Sequence, residues 1–226
     1  MTEELHVGRS TPRVEDARLV TGAARWTDAM HVPGALHLAV VRSPMAHANL
    51  LNVDVQAAAA APGVVAAFTG ADLVDGWAAP LPAGGPRGAF VPDHWPLAVD
   101  RVRHVGDPVA VVVAENRHAA EDARELVDVD YEPLPAVPTV EAALRDETLV
   151  HEQAGTNTAF HYEGRPTGDV EAAFTQADVV IERRYHQQRL VPAALEPRAV
   201  LALPDPAGGL TLYTSTQIPH GLRGDL

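Results

Sequence analysis

Three sets of residues carry side chains capable of chemistry. The first is eleven histidines. Zinc sites need ligands at fixed intervals, such as HExxH on a helix or Cys pairs. Here no two histidines stand four apart and Cys is absent. His47, in "SPMAHANLL", lies where a strand passes into a turn and is expected to be a hydrogen-bonded structural residue. His104, His118, His151, His161 and His186 read as surface or packing residues. The second set is Ser215 with His220, a conceivable nucleophile and base. They flank a strand-to-helix break with no GxSxG elbow and no positioned acid, which argues against a hydrolase. The third set is Glu196 in "ALEPRAV" and Gln217 in "LTLYTSTQIPHGLRGDL". A neutral amide both donates and accepts without adding charge, so Gln217 could orient an oxygen-bearing ligand or simply tie down a turn. Glu196 reads first as a structural carboxylate.

The elements around Gln217 follow from spacing. Leu210, Leu212, Thr214 and Thr216 share one face of a period-two strand, and Thr211, Tyr213, Ser215 and Gln217 the other. Pro219 suits the first turn of a helix, where a missing N–H costs nothing. Upstream, "PDPAGG" signals a hairpin turn joining the last two of three strands expected after a short helix capped by Asp169. One helix and three strands are too few to close a core. Residues 146–166, polar and weakly periodic, form the best boundary.

Before that boundary, "GALHLAVVRS" alternates as a strand. "LNVDVQAAAAAPGVVAAFTGADL" reads as a strand, a helical turn stopped by Pro62–Gly63, and a second strand over Val64–Phe68. Residues 75–96 have the Gly and Pro density of a loop. "GDPVAVVVAENRHAAEDARELVDVDYEPLP" gives an apolar strand over Val109–Ala114, a helix over Asn116–Val127 capped by Asn116, and a strand through Val129 and Tyr131. Ala119, Ala120, Ala123, Leu126 and Val127 form the inward stripe of that helix. Thr139 can cap a short helix through Leu144. The first thirty residues, polar and Arg-rich, read as an extended arm. The whole is a mixed α/β or α+β layer architecture.

Composition narrows the function. Among 226 residues, 17 Arg and no Lys face 30 Asp and Glu, for a formal net charge of −13. That balance disfavours nucleic acid and anionic membrane surfaces. Lys-dependent chemistry is excluded within this chain, as are thiolate metal sites and iron–sulfur clusters held by it alone. No GxGxxG loop follows a strand, so a nicotinamide or flavin site is unsupported. The polar start and the absence of a long apolar run lead to an expected cytoplasmic location, without membrane insertion.

Five stretches, in order, resemble one family: "RVEDARLVTGAARWTDA", "RSPMAHANLLNVDVQAAAAAPGVVAAFTGADL", "HVGDPVAVVVAENRHAAEDARELVDVDYEPLPAV", "ALEPRAV" and "TSTQIPHGLR". The family is the large, molybdenum-binding subunit of the xanthine dehydrogenase, aldehyde oxidase and aerobic carbon monoxide dehydrogenase group. The resemblance implies an N-terminal arm over 1–14, a hammerhead domain of α+β type over 15–145, and the incomplete start of a molybdopterin-binding domain over 155–226. In that family the glutamine of "STQ" lies beside the molybdenum, and the matching position is Gln217. This makes Gln217 the candidate catalytic and cofactor-contacting residue, with no metal ligand supplied by the chain. The implied cofactor is molybdenum–molybdopterin in its cytosine dinucleotide form. FAD and 2Fe–2S clusters are then expected on a medium and a small partner subunit.

The resemblance also implies that the Gly-rich cofactor segment, the later pterin loops and the catalytic glutamate lie outside this sequence. The chain is therefore expected to be the N-terminal part of a catalytic subunit, incomplete alone and requiring the remainder of the subunit. The expected reaction is hydroxylation of a carbon centre in an aldehyde, an N-heterocycle or CO, with water as the oxygen source. The competing expectation is a non-catalytic assembly piece that docks the FAD and iron–sulfur subunits.

Overall fold

A computed structural model describes residues 7–76, 79–165 and 167–226. Residues 1–6 of the expected arm, Trp77 and Ala78 of the expected loop, and Pro166 at the end of the expected boundary lie outside the described residues. The chain forms two units: Gly34–Glu182, and the described part of Met1–Pro33 together with Arg183–Leu226.

The arm is not wholly extended. Asp16–Val20 forms a helical turn, α1, and Thr27–Ala29 a 3-10 turn. Asp16 starts α1 by accepting from Arg13 Nε at 2.8 Å and from the Arg13 backbone N–H at 3.2 Å. A carboxylate there also favours the positive end of the helix. No residue of α1 is buried, so no apolar stripe announces it.

In the unit Gly34–Glu182 the chain runs through β1 (His37–Arg42), β2 (Ala48–Asp54), α2 (Gln56–Ala59), β3 (Val64–Thr69), α3 (Gly70–Gly76), β4 (Arg101–Val102), β5 (Pro108–Ala114), α4 (Arg117–Arg124), β6 (Asp128–Pro133) and α5 (Val140–Ala143). They form two antiparallel sheets of order β1-β5-β3 and β4-β2-β6. β5 is central to the first, with Val111 opposite both Val40 and Phe68. Its Val109, Ala110, Val112 and Ala114 are fully buried, which explains an apolar run without alternation. Ala48, Val102 and Val109 meet in one cluster that joins the two sheets.

α4 begins where Asn116 accepts the Ala119 N–H at 3.0 Å. Its Ala120 packs on Ala39 and Ala114, and its Ala123 on Ala58 and Val112. With methyl groups on both sides, the helix backbone comes close to the sheet. Leu126, expected on this stripe, is 48% exposed because α4 ends at Arg124. The strand–helix–strand run is not a parallel crossover, since β6 pairs with β2 rather than β5.

α3 starts at a close approach: a Cβ on Gly70 would overlap the carbonyl oxygen of Ala98. Asp72 accepts both the Thr69 N–H and the Thr69 hydroxyl at 2.7 Å, a variant of the capping box. After α5, which Thr139 caps through the Ala142 N–H, Asp146 takes a left-handed backbone with φ 53°. Its carboxylate accepts from Asn157 N and Thr156 Oγ1, while the Asn157 side chain binds Val150 N, Ala143 O and Thr148 O. A polar staple thus closes the loop over 143–157.

α6 (Val170–Gln176) is capped by Asp169, which accepts from Ala172 N at 2.9 Å. The three strands expected after it reduce to two, β7 (Val200–Pro204) and β8 (Leu210–Thr214). Residues 177–199 carry neither helix nor strand. Alternation prepares a segment for a sheet, but a strand exists only where a neighbour supplies backbone partners. Val179, Ile181, Val191 and Leu195 are 74–94% exposed. The chain closes with α7 (Pro219–Asp225). No helix among the described residues is long and apolar enough to cross a membrane.

Candidate functional site

The site is built on the β7–β8 hairpin. Leu201 lies opposite Tyr213 and Ala202 opposite Leu212, and Val200–Thr214 is the last pair. The turn is set by Asp205, whose backbone N–H donates to Gly209 O and whose carboxylate accepts from Ala207 N. Beyond Thr214 the strand becomes a bend that leads into α7, with Pro219 in its first turn.

Gln217 occupies that bend and is exposed. Its amide makes no hydrogen bond among the described residues, whereas the residues before it are tied. Ser215 Oγ donates to Pro197 O at 3.3 Å, and Thr216 Oγ1 accepts from Ile218 N at 3.1 Å. Ile218 O in turn accepts from Leu222 N at 3.0 Å. The turn-holding alternative for Gln217 thus finds its work done by Ser215 and Thr216. A fixed backbone with a free neutral amide fits a group that presents oxygen atoms.

Glu196 is half-buried, and its Oε1 accepts the Thr27 backbone N–H at 3.1 Å. That N–H opens the 3-10 turn of the arm and has no partner inside it. Ser215 and His220 form no pair among the described residues, the serine hydroxyl being committed to Pro197.

His47 is buried, with Nδ1 2.8 Å from the carbonyl oxygen of Pro135, so Nδ1 carries the proton and donates. Its Nε2 and the Nδ1 of His151 are both buried without a partner among the described residues. The His151 ring tilts against Phe90, centroids 5.9 Å apart. Burial, then the Arg103 guanidinium and the rings of His47 and His94, hold His151 below the usual imidazole range. Nothing in the sequence announces this cluster, because its members come from four separate segments. Among the described residues no group of three or more His, Asp or Glu could hold a metal ion.

Compared with known proteins, residues 21–135 match the aldehyde oxidase and xanthine dehydrogenase a/b hammerhead domain. The chain belongs to this family. Residues 150–226 of this aldehyde oxidase and xanthine dehydrogenase family member match the molybdopterin cofactor-binding domain, the stretch that includes Glu196 and Gln217. The nicotine 6-hydroxylase large subunit of Paenarthrobacter nicotinovorans is 38% identical over 96% of this chain, which spans 27% of that protein. The carbon monoxide dehydrogenase large chain of Afipia carboxidovorans is 34% identical over 96% of this chain and 28% of its own length. Among solved structures, quinoline 2-oxidoreductase from Pseudomonas putida 86 superposes with a TM-score of 0.84 at 34% identity, covering 96% of this chain and 28% of that one. The hammerhead fold and the molybdopterin-binding assignment expected from the resemblance both hold.

Proposed function

We propose that this chain is the N-terminal part of the molybdenum-binding subunit of a hydroxylase. The observation that carries the reading is the free amide of Gln217, held on an anchored bend inside the stretch that matches a molybdopterin cofactor-binding domain. The substrate is an aldehyde, an N-heterocycle or CO, classes to which the named relatives point. The hammerhead part runs over 15–145 and the cofactor-binding part from 155.

The cofactor, molybdenum–molybdopterin in the cytosine dinucleotide form, supplies a centre that takes up electrons as a carbon gains oxygen from water. Gln217 would help hold that group, its amide N–H serving as a donor to oxygen without adding charge. Ser215, Thr216 and Pro219 keep the bend from relaxing when the amide is engaged. The chain has no Cys to hold a 2Fe–2S cluster, which agrees with an arrangement in which the electron-carrying clusters and FAD sit on a small and a medium partner subunit. The apolar side chains of residues 177–199 are covered by the remainder of the same subunit. The assembly works in the cytoplasm.

The test is molybdenum and pterin analysis of the chain alone and of the chain co-expressed with its genomic neighbours. The chain alone should hold no stoichiometric metal and the assembled complex about one molybdenum per subunit. Stoichiometric metal on the chain alone would sink the reading. A metal-free complex that still binds its partners would favour the assembly piece.

A further inference from the structure

We infer that Glu196 is a positioning residue for Gln217, acting through the Glu196–Pro197 corner; the inference rests on the reading of Gln217 given above. The β7–β8 register runs Pro204–Leu210 to Val200–Thr214. Carried three residues further, it sets Pro197 opposite Gln217. The ladder already ends at Val200–Thr214, and a proline, having no N–H to give, cannot resume it at Pro197, so Gln217 stays outside the sheet. The last tie between the two strands is then a side chain, Ser215 Oγ on Pro197 O. What holds the corner itself is Glu196, whose Oε1 accepts from Thr27 N at the start of the arm's 3-10 turn. The sequence of contacts is Thr27 N–H to Glu196, Glu196 covalently to Pro197, and Pro197 O to Ser215, two residues before Gln217.

The chemistry of each member suits this role. A half-buried side-chain oxygen that accepts a backbone N–H is a directional anchor, and the role needs the acceptor rather than the charge. The anchored carbonyl belongs to a residue whose φ is fixed by its ring, so the corner turns as one piece. Glu196 is not placed in contact with substrate or cofactor. Its effect is on where Gln217 stands.

The experiment uses the assembled holoenzyme and compares Glu196→Ala, Glu196→Gln and Gln217→Ala. The first readout is amide hydrogen exchange over residues 214–222, and the second is turnover per bound molybdenum. Glu196→Ala should speed exchange at Ser215–Ile218 by about tenfold or more and lower turnover by about ten- to a hundredfold, the usual cost of a misplaced group. Glu196→Gln keeps an oxygen acceptor for Thr27 and should restore both. If Glu196→Gln is as harmful as Glu196→Ala, the residue acts by its charge and the inference is overturned. If exchange is unchanged in Glu196→Ala, the corner does not hold the bend, and the inference falls as well. Failure of the underlying reading looks different: Gln217→Ala would then leave turnover per molybdenum untouched while Glu196→Ala still loosens the bend.

Discussion

The amide of Gln217 stands exposed beside two hydroxyls that are both engaged, and the energetic weight of the three side chains differs accordingly. Removing the amide takes nothing from the fold. Gln217→Ala should leave the thermal melt and the pterin content of the assembled enzyme nearly unchanged while turnover per molybdenum falls by about one to three orders of magnitude. Gln217→Glu should be at least as damaging, because a carboxylate repels the oxygen ligands an amide would orient. A residue that only tied down the turn would instead lose about 1 kcal/mol of stability with full activity per folded molecule. His151 makes the second residue-scale case. Its folded pKa lies below the unfolded value of 6.5, so protons bind the unfolded chain more readily. The contribution of His151 to stability is level above about pH 6.5 and falls as the pH drops from there toward the folded value. His151→Phe keeps the ring against Phe90 and removes the titration. Its melting temperature should therefore depend less on pH between 7.5 and 5 than that of the natural chain, and equal slopes would show that folding does not lower the pKa of His151.

At the scale of elements, the contact between α4 and the β1-β5-β3 sheet is made of methyl groups. Ala123→Leu has no room against Ala58 and Val112 and should cost about 1–3 kcal/mol, read as a lower melting temperature. Ala119→Leu, on a partly buried neighbour, should cost less. The same elements show what a sequence reveals. Val109–Ala114 announces a strand because every position is apolar, and Asn116, Thr139 and Asp169 announce helix starts because each cap is a local bond three residues long. "TGAD" also carried a local signal, the Thr69–Asp72 cap, for a helix that apolar periodicity did not suggest. Sheet partners were not legible: nothing in "DVDYEP" says that it pairs with β2 and not β5. The site divides the same way. The strand, the bend and Pro219 around Gln217 follow from period and backbone chemistry, whereas the bond from Glu196 to Thr27 joins residues 169 apart and leaves no local trace.

For the whole molecule, the stretch 177–199 sets the behaviour in solution. α6 and the segment after it line an open apolar hollow of about 340 Å³ with Val170, Phe174, Val179 and Ile181 on its walls. Each such side chain left in water forgoes about 1.5–3 kcal/mol of burial, against a total stability of about 5–15 kcal/mol for a typical domain. The isolated chain should self-associate, and trypsin should cleave after Arg183, Arg184 or Arg189 before it cleaves after Arg145, which the polar staple protects. Supplying the rest of the subunit should reverse both, as judged by sedimentation and by the order of fragments. A monomer with strong exchange protection over 178–195 would contradict this.

The bond between Thr27 and Glu196 also has a history in time. A ribosome adding about 5–20 residues per second needs on the order of ten to thirty seconds to travel the 169 residues between them. All of Gly34–Glu182 emerges during that interval, while the Thr27 N–H has no acceptor yet made. The sheets and α4 can close before the first and last segments of the chain meet. A protease or chaperone that takes the arm during synthesis would therefore spare the core and leave its mark 169 residues further along, on the corner that holds Ser215.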